Sequence, residues 1–220
     1  MIICITGTNT DVGKTIATAA IAAQLKAAGK HVVVTKPVQT GEPAGLGDAP
    51  TISRLAGVET REFVRYPEPL APNLSAQRAG MPQPDREELV EWIRGIEADV
   101  VLVEGAGGLL VRLADDFTLA EIAADLDAPL IVVTSMGLGS LNAAELTVEA
   151  ACSRGLKVLG LIGGSLPAQP DLATSLNVEE MPQVTGVPLL GYLSEGAGQL
   201  SAPEFAVTTS TIDASLIFRP

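Results

Sequence analysis

Apolar, mostly β-branched residues fall in five short runs, at residues 2–6, 31–35, 100–103, 130–134 and 158–162. Each run is too short for a helix and is near-continuously apolar, so each predicts a strand buried on both faces. Helical patterns lie between them. Residues 14–28 are rich in alanine and stop at Gly29, residues 85–97 follow a proline, and residues 119–126 and 141–154 complete the set. Strand and helix alternate repeatedly. That order predicts an α/β fold, a mostly parallel sheet with helices on both faces, whose ligands bind beyond the carboxyl ends of the strands.

Residues 41–81 are rich in Gly, Pro and Ala and show one helical pattern, at 49–56, so the remainder is expected as a long loop over the site. After Ser165 the pattern weakens, because Pro167, Pro170, Pro182 and Pro188 interrupt it. A length of 220 residues favours one domain spanning 1–220. No run reaches the roughly 18 apolar residues of a membrane span, so no membrane partner is expected. The first residues pass directly into an apolar run without a basic leader, which reads as a strand and predicts a cytoplasmic protein.

The formal net charge is −12, and no Lys/Arg cluster offers a groove for nucleic acid, which is excluded as an expected partner. An anionic ligand must then be held by a few local cations and oriented amides. Lys14 and Lys36 become the informative positions. The two cysteines, Cys4 and Cys152, cannot build a disulfide framework or a four-ligand metal site and are expected as reduced core thiols.

The strongest local signal is Gly7-Thr8-Asn9-Thr10-Asp11-Val12-Gly13-Lys14-Thr15, between the first strand and the first helix. Its backbone N–H groups and the helix N-terminus suit phosphate oxygens, Lys14 would reach the terminal phosphates, and Thr15 would ligate magnesium. Five residues separate Gly7 from Gly13 where the common pattern has four, so the generic motif matches in its Gly-Lys-Thr end. The pattern as a whole predicts a P-loop NTPase-like fold. Lys36-Pro37-Val38-Gln39-Thr40-Gly41 closes the second predicted strand, where Lys36 would neutralise a transferring phosphoryl group and Thr40 would bond a carbamate or carboxylate. In Val103-Glu104-Gly105-Ala106-Gly107-Gly108, an acid at another strand end precedes small residues that admit a ligand close to the backbone. Glu104 and Asp48 are candidate magnesium ligands, and Asp48 is equally readable as the N-cap of the next helix. Leu138-Gly139-Ser140-Leu141-Asn142 opens a helix, either presenting free amides to an anion or capped plainly by Ser140.

Together, in this order and spacing, these four segments resemble the dethiobiotin synthetase family across roughly residues 1–165. The resemblance implies a homodimeric, magnesium-dependent enzyme that converts 7,8-diaminononanoate, CO2 (or bicarbonate) and ATP into dethiobiotin, ADP and phosphate. By position, it implies that Thr10, Lys14 and Lys36 grip the γ-phosphate and the carbamate, and that Thr40 holds the carbamate. Thr15, Asp48 and Glu104 would surround magnesium. The nucleotide would lie along Asp11, Val12, Gly13, Lys14, Thr15 and Ile16, beside Gly105, Ala106 and Gly107, and against Gly164 and Ser165. Gly139, Ser140, Leu141 and Asn142 would receive the substrate carboxylate from the partner subunit.

Gly164-Ser165 stands where family members often carry an adenine-reading Asn-Asp, Ser194 falls near a family proline, and Gly137 replaces a lysine of some relatives. Acceptance of other nucleoside triphosphates is therefore expected. Three rival readings stand beside this one: an ATPase switch that shares the deviant phosphate loop, an amidoligase, and a non-catalytic nucleotide-binding regulatory module that has kept the fold. A ParA- or MinD-like ATPase switch would place a lysine at position 9, which here is Asn9; a cobyrinate-type amidoligase would carry a glutaminase domain with catalytic Cys and His, and this chain has one histidine, His31.

Overall fold

The computed structural model describes residues 1–212. Its first half contains β1 (Ile2–Gly7), α1 (Lys14–Ala27), β2 (Val32–Thr40), α2 (Asp48–Ala56), β3 (Glu59–Tyr66), α3 (Pro72–Ala79), α4 (Arg86–Arg94) and β4 (Val100–Gly108). A hairpin of β5 (Arg112–Ala114) and β6 (Phe117–Thr118) follows, then α5 (Leu119–Asp125), β7 (Leu130–Thr134), α6 (Ser140–Cys152), β8 (Val158–Leu166), α7 (Leu172–Thr185), β9 (Leu189–Ser194) and α8 (Ala202–Thr208). Residues 213–220, the end of the expected domain, lie outside the described residues.

One seven-stranded sheet runs in the order β3-β2-β4-β1-β7-β8-β9, with each neighbouring pair parallel. The order reverses at β1, flanked by β4 and β7, so the loop leaving β1 opens where the crevice of such a sheet must lie. Alternate residues of β1 feed the two faces: Ile3 and Ile5 enter a core shared with α1, α2 and α8, and Cys4 enters one shared with α3, α4 and α5. A smaller cluster of Val132, Ala144, Val148, Leu161 and Met181 joins β7 and β8 to α6 and α7. Local signals set the helix ends. Gly29 at φ 79 ends the first helical turn sequence, the Asp85 carboxylate accepts from the Glu88 N–H at 2.9 Å, and Thr118 with Glu121 forms a capping box at α5.

Residues 41–81 depart from expectation. They hold β3 and α3 besides α2, because β3 is an edge strand whose charged residues Glu59, Arg61, Glu62 and Arg65 hide its period among solvent-facing positions. Its pairing with β2 runs as far as Thr40↔Tyr66, which extends β2 beyond the predicted end at residue 35. Lys36 consequently sits within β2, and pairing with β1 as far as Gly7↔Gly108 likewise puts Glu104 within β4, so neither is at a strand tip. The prolines after Ser165 likewise conceal α7, which carries Pro182 internally, and β9.

Cys4 is a core thiol as expected, with burial pushing its pKa up to about 12. Cys152, at the last turn of α6, is exposed and corrects that expectation. Native labelling with a maleimide is therefore expected to modify Cys152 alone, and Cys4 only after denaturation; rapid double labelling would contradict the core placement of Cys4.

Candidate active site

The phosphate loop spans the gap between β1 and α1. Asp11 at φ 58 and Gly13 at φ 93 are its two left-handed residues, the alternation of backbone conformation from which anion-binding loops are built. No side chain caps α1, whose N-cap is Gly13, so the first amides of a 14-residue helix remain available to an anion. A Cβ on Gly13 would lie 2.5 Å from the Gly164 carbonyl oxygen, and one on Gly164 would lie 1.6 Å from that of Val12. The end of β8 therefore packs backbone against backbone on the loop.

Beneath the loop, four polar side chains from separate elements meet. Lys36 Nζ is 2.5 Å from Asp48 Oδ2 and 3.1 Å from Glu104 Oε1, and it donates to the Gly105 carbonyl at 2.8 Å. The Thr15 hydroxyl lies 2.8 Å from Asp48 Oδ1 and 3.1 Å from Glu104 Oε1. The Lys14 ammonium folds onto its own loop, donating to the Asn9 carbonyl at 2.9 Å. Glu104 is fully buried, and its Oε2 has no hydrogen-bond partner among the described residues.

Electrostatics follow from this crowding. Burial would lower the Lys36 ammonium, but the charges of Glu104 and Asp48 and their hydrogen bonds hold it above the usual lysine value. Burial raises the Glu104 carboxyl, opposed by Lys36. Asp48 is lowered: burial works the other way, and Lys36 with the Thr15 hydrogen bond outweighs it. Lys14 is lowered by burial and then by the neighbouring Lys36 charge. Two ammonium groups in one dry corner are a poor arrangement for each other and a favourable one for a polyanion.

A cleft of about 890 Å³ opens above this cluster. Thr10, Asp11, Gly13, Lys14, Thr15, Ile16, Lys36, Thr40, Asp48, Ala106 and Gly107 line it. Glu104 lies beneath its floor, and Gly164 is buried against the loop while Ser165 is exposed. Gly139–Asn142 do not line it. Neither capping alternative describes the structure: the N-cap of α2 is Gly47, and that of α6 is Gly139. A second cleft of about 510 Å³ over α4 and α5 is lined by Arg86 and Asp125, among others, which neutralise each other.

Sequence reasoning missed several contributors. Gln39 accepts from the Asp48 N–H at 3.0 Å and donates to the Thr40 carbonyl at 3.0 Å, so it fixes the start of α2 over the carboxylate pair. Its place beside Lys36 in the second motif was the available signal. Pro69, Leu70, Ala71 and Pro72, with Val111, give the cleft an apolar lining, and the first four come from the stretch read as loop. The turn Ala197–Gln199 packs on Ile16 and is anchored by Arg54, which donates to the Gly198 and Leu200 carbonyls at 2.7 and 3.2 Å.

A parallel sheet with a Gly-Lys-Thr loop at its switch point, and a buried lysine between two carboxylates under that loop, define a P-loop NTPase-type protein. Solved structures agree on the fold. The septum site-determining protein MinD complexed with Mg-ADP from Pyrococcus horikoshii superposes with a TM-score of 0.62 at 18% identity, covering 100% of this chain and 97% of that one. A ParA family ATPase from Chlorobium tepidum gives 0.60 at 16%, covering 99% of each. At such identities the likeness to the rival ATPase switches is one of fold alone. A family model described as an AAA domain matches residues 2–203. The ATP-dependent dethiobiotin synthetase of Corynebacterium diphtheriae is 68% identical over 206 residues, 93% of each chain. That of Streptomyces coelicolor is 51% identical over 209 residues, 93% of this chain and 88% of the relative; that of Rhodococcus jostii is 48% identical over 215 residues, 96% and 93%. The chain belongs to the ATP-dependent dethiobiotin synthetase family.

Proposed function

We propose that this chain carboxylates 7,8-diaminononanoate with CO2 and closes the ureido ring at the expense of ATP, using the cleft under the phosphate loop. The single observation that carries the reading is the meeting of Lys36, Thr15, Asp48 and Glu104 below that loop, in a cleft that Lys14 also lines, in a chain of this family. A carbamate formed on one substrate amine attacks the γ-phosphoryl group, with Lys14, Lys36 and Thr10 offsetting the charge that spreads over its oxygens. The resulting carbamic-phosphoric anhydride presents an activated carbonyl to the second amine, and closure expels phosphate. Both amines belong to one molecule, so closure gains from effective molarities of about 10⁵ M or more.

Thr15, Asp48 and Glu104 fit a hard cation: all donors are oxygen, and one buried Glu104 oxygen has no partner among the described residues. Magnesium bound there would offset charge on the nucleotide phosphates. Thr40 at the cleft wall suits the carbamate, and the apolar wall of Pro69 to Pro72 suits an aliphatic chain. Gly139, Ser140, Leu141 and Asn142 lie apart from their own cleft and would serve the partner's in a homodimer. We read the chain as one cytoplasmic domain without nucleic-acid or membrane partners. Its charge of −12 supports this, and no helix among the described residues is long and apolar enough to cross a membrane.

Mass spectrometry of a mixture with diaminononanoate, bicarbonate, magnesium and ATP is expected to find dethiobiotin; its absence from folded protein would refute the reading. The same assay with CTP and GTP tests base selectivity. Buried Gly164 has no side chain to read a base, and Ser165 faces solvent. Turnover with CTP or GTP is expected within about 10²-fold of that with ATP, since a site without dedicated hydrogen-bonding partners discriminates on that scale. Discrimination of about 10⁴-fold or more would overturn this expectation.

A further inference from the structure

We propose that Asn177 is a positioning residue for the substrate carboxylate: it fixes the loop leading into α6 so that the first amides of that helix stay free to bind an anion. The inference rests on the role given above to Gly139–Asn142. Asn177 lies on α7 and is 6% exposed. Its side-chain amide nitrogen lies 2.9 Å from the Met136 carbonyl oxygen, 2.8 Å from that of Gly137 and 3.1 Å from the Ser140 hydroxyl, so its two hydrogens are shared among three acceptors. One –NH2 group thus gathers both strands of the turn between β7 and α6.

Ser140 is drawn into the same knot. Its hydroxyl donates to the Gly137 carbonyl at 2.6 Å and its N–H to the same oxygen at 3.1 Å, so the one side chain suited to cap α6 is turned underneath the loop. The N-cap is Gly139 at φ 89, which has no side chain to offer. The N–H groups of Leu141 and Asn142 therefore keep no capping partner among the described residues, at the positive end of a 13-residue helix. Packing does little to hold the turn. A Cβ built on Gly137 or Gly139 would meet no atom within 4 Å, and Leu138 between them is 92% exposed. Two unpacked glycines lose much conformational freedom when ordered, and the Asn177 amide, together with the Ser140 bonds that it supports, orders them here. Without it the buried Met136 residue loses the donor to its carbonyl, the Gly137 carbonyl is left with Ser140 alone, and the turn rearranges to regain a partner.

The test compares 7,8-diaminononanoate with its neutral primary carboxamide, in the full-length wild type and in Asn177→Leu, which keeps the shape and removes the donors. Wild type is expected to bind the acid at least about 10-fold better by KM, the scale of a hydrogen bond to a charged group. In Asn177→Leu the KM for the acid should rise about 10-fold, while kcat, the KM for ATP and the KM for the carboxamide stay within about 2-fold. Asn177→Ser, which keeps a shorter donor, should fall between the two and replaces Asn177→Leu if that variant does not fold. An unchanged KM for the acid, or equal shifts for acid, carboxamide and ATP, would overturn the inference and leave the function standing. A wild type that makes dethiobiotin yet does not distinguish acid from carboxamide would remove the anion role of Gly139–Asn142 and the inference with it.

Discussion

Lys36→Met is expected to lower turnover at saturating ATP by at least about 10²- to 10³-fold, the scale for losing one preorganised charge-stabilising donor. Methionine keeps the length and apolar stem of the lysine and removes its ammonium. That ammonium is held by Asp48, Glu104 and the Gly105 carbonyl, so its position costs no reorganisation when phosphoryl charge develops nearby. The substitution also leaves Asp48 and Glu104 facing one another without a counter-charge. Breaking one side of a buried ion cluster costs about 3–5 kcal/mol, and Glu104, already raised by burial, would respond by taking up a proton. Two measurements separate these effects. Thermal melting reads the lost counter-ion, and single-turnover phosphate release on the folded protein reads the chemistry. Lower melting with near-normal phosphate release would make Lys36 a structural counter-ion and refute its assigned role.

That cluster also marks how far the sequence could be read. The runs at 2–6, 130–134 and 158–162 gave β1, β7 and β8 because continuous apolar stretches leave few alternatives to a doubly covered strand. The phosphate loop was legible because its glycines answer to a backbone requirement that the structure displays at Gly13. The partnership of Lys36 with Asp48 and Glu104 was not legible. It depends on β2 continuing past residue 35, which depends on β3, and β3 is an edge strand with charges on its exposed side and no clean apolar run. Missing one edge strand therefore placed Lys36 at a strand tip, when it lies inside β2, lines the cleft and bridges two carboxylates. The apolar cleft wall was lost for the same reason, since Pro69 to Pro72 are held by the short connection from β3 to α3. Asn177 carried no signal at all, because its role is fixed by a helix that Pro182 disguises.

Gly164→Ala is expected to disable the phosphate loop although residue 164 touches no phosphate in any reading of the site. A methyl group there would lie 1.6 Å from the Val12 carbonyl oxygen, far inside contact distance, and the obstruction is main chain, so no rotamer change relieves it. The neighbouring contact is equally constrained, since Gly13 sits at φ 93 and faces the Gly164 carbonyl. Either β8 withdraws from β7 at Gly163, breaking its register with Thr134, or the loop moves away from the sheet. Both cost more than ordinary overpacking, so a loss of about 3 kcal/mol or more is expected, read as a fall in melting temperature of about 6–12 °C for a chain of this size. Because the loop amides must converge on the phosphates within about 0.5 Å, the KM for ATP should rise at least about 10-fold in the protein that remains folded. Ser165→Ala supplies the control: its side chain is exposed one residue further on, and neither stability nor KM should move. Normal melting and an unchanged KM for ATP in Gly164→Ala would mean that β8 and the phosphate loop do not pack backbone to backbone, and the explanation offered for loose base selectivity would fall with that contact.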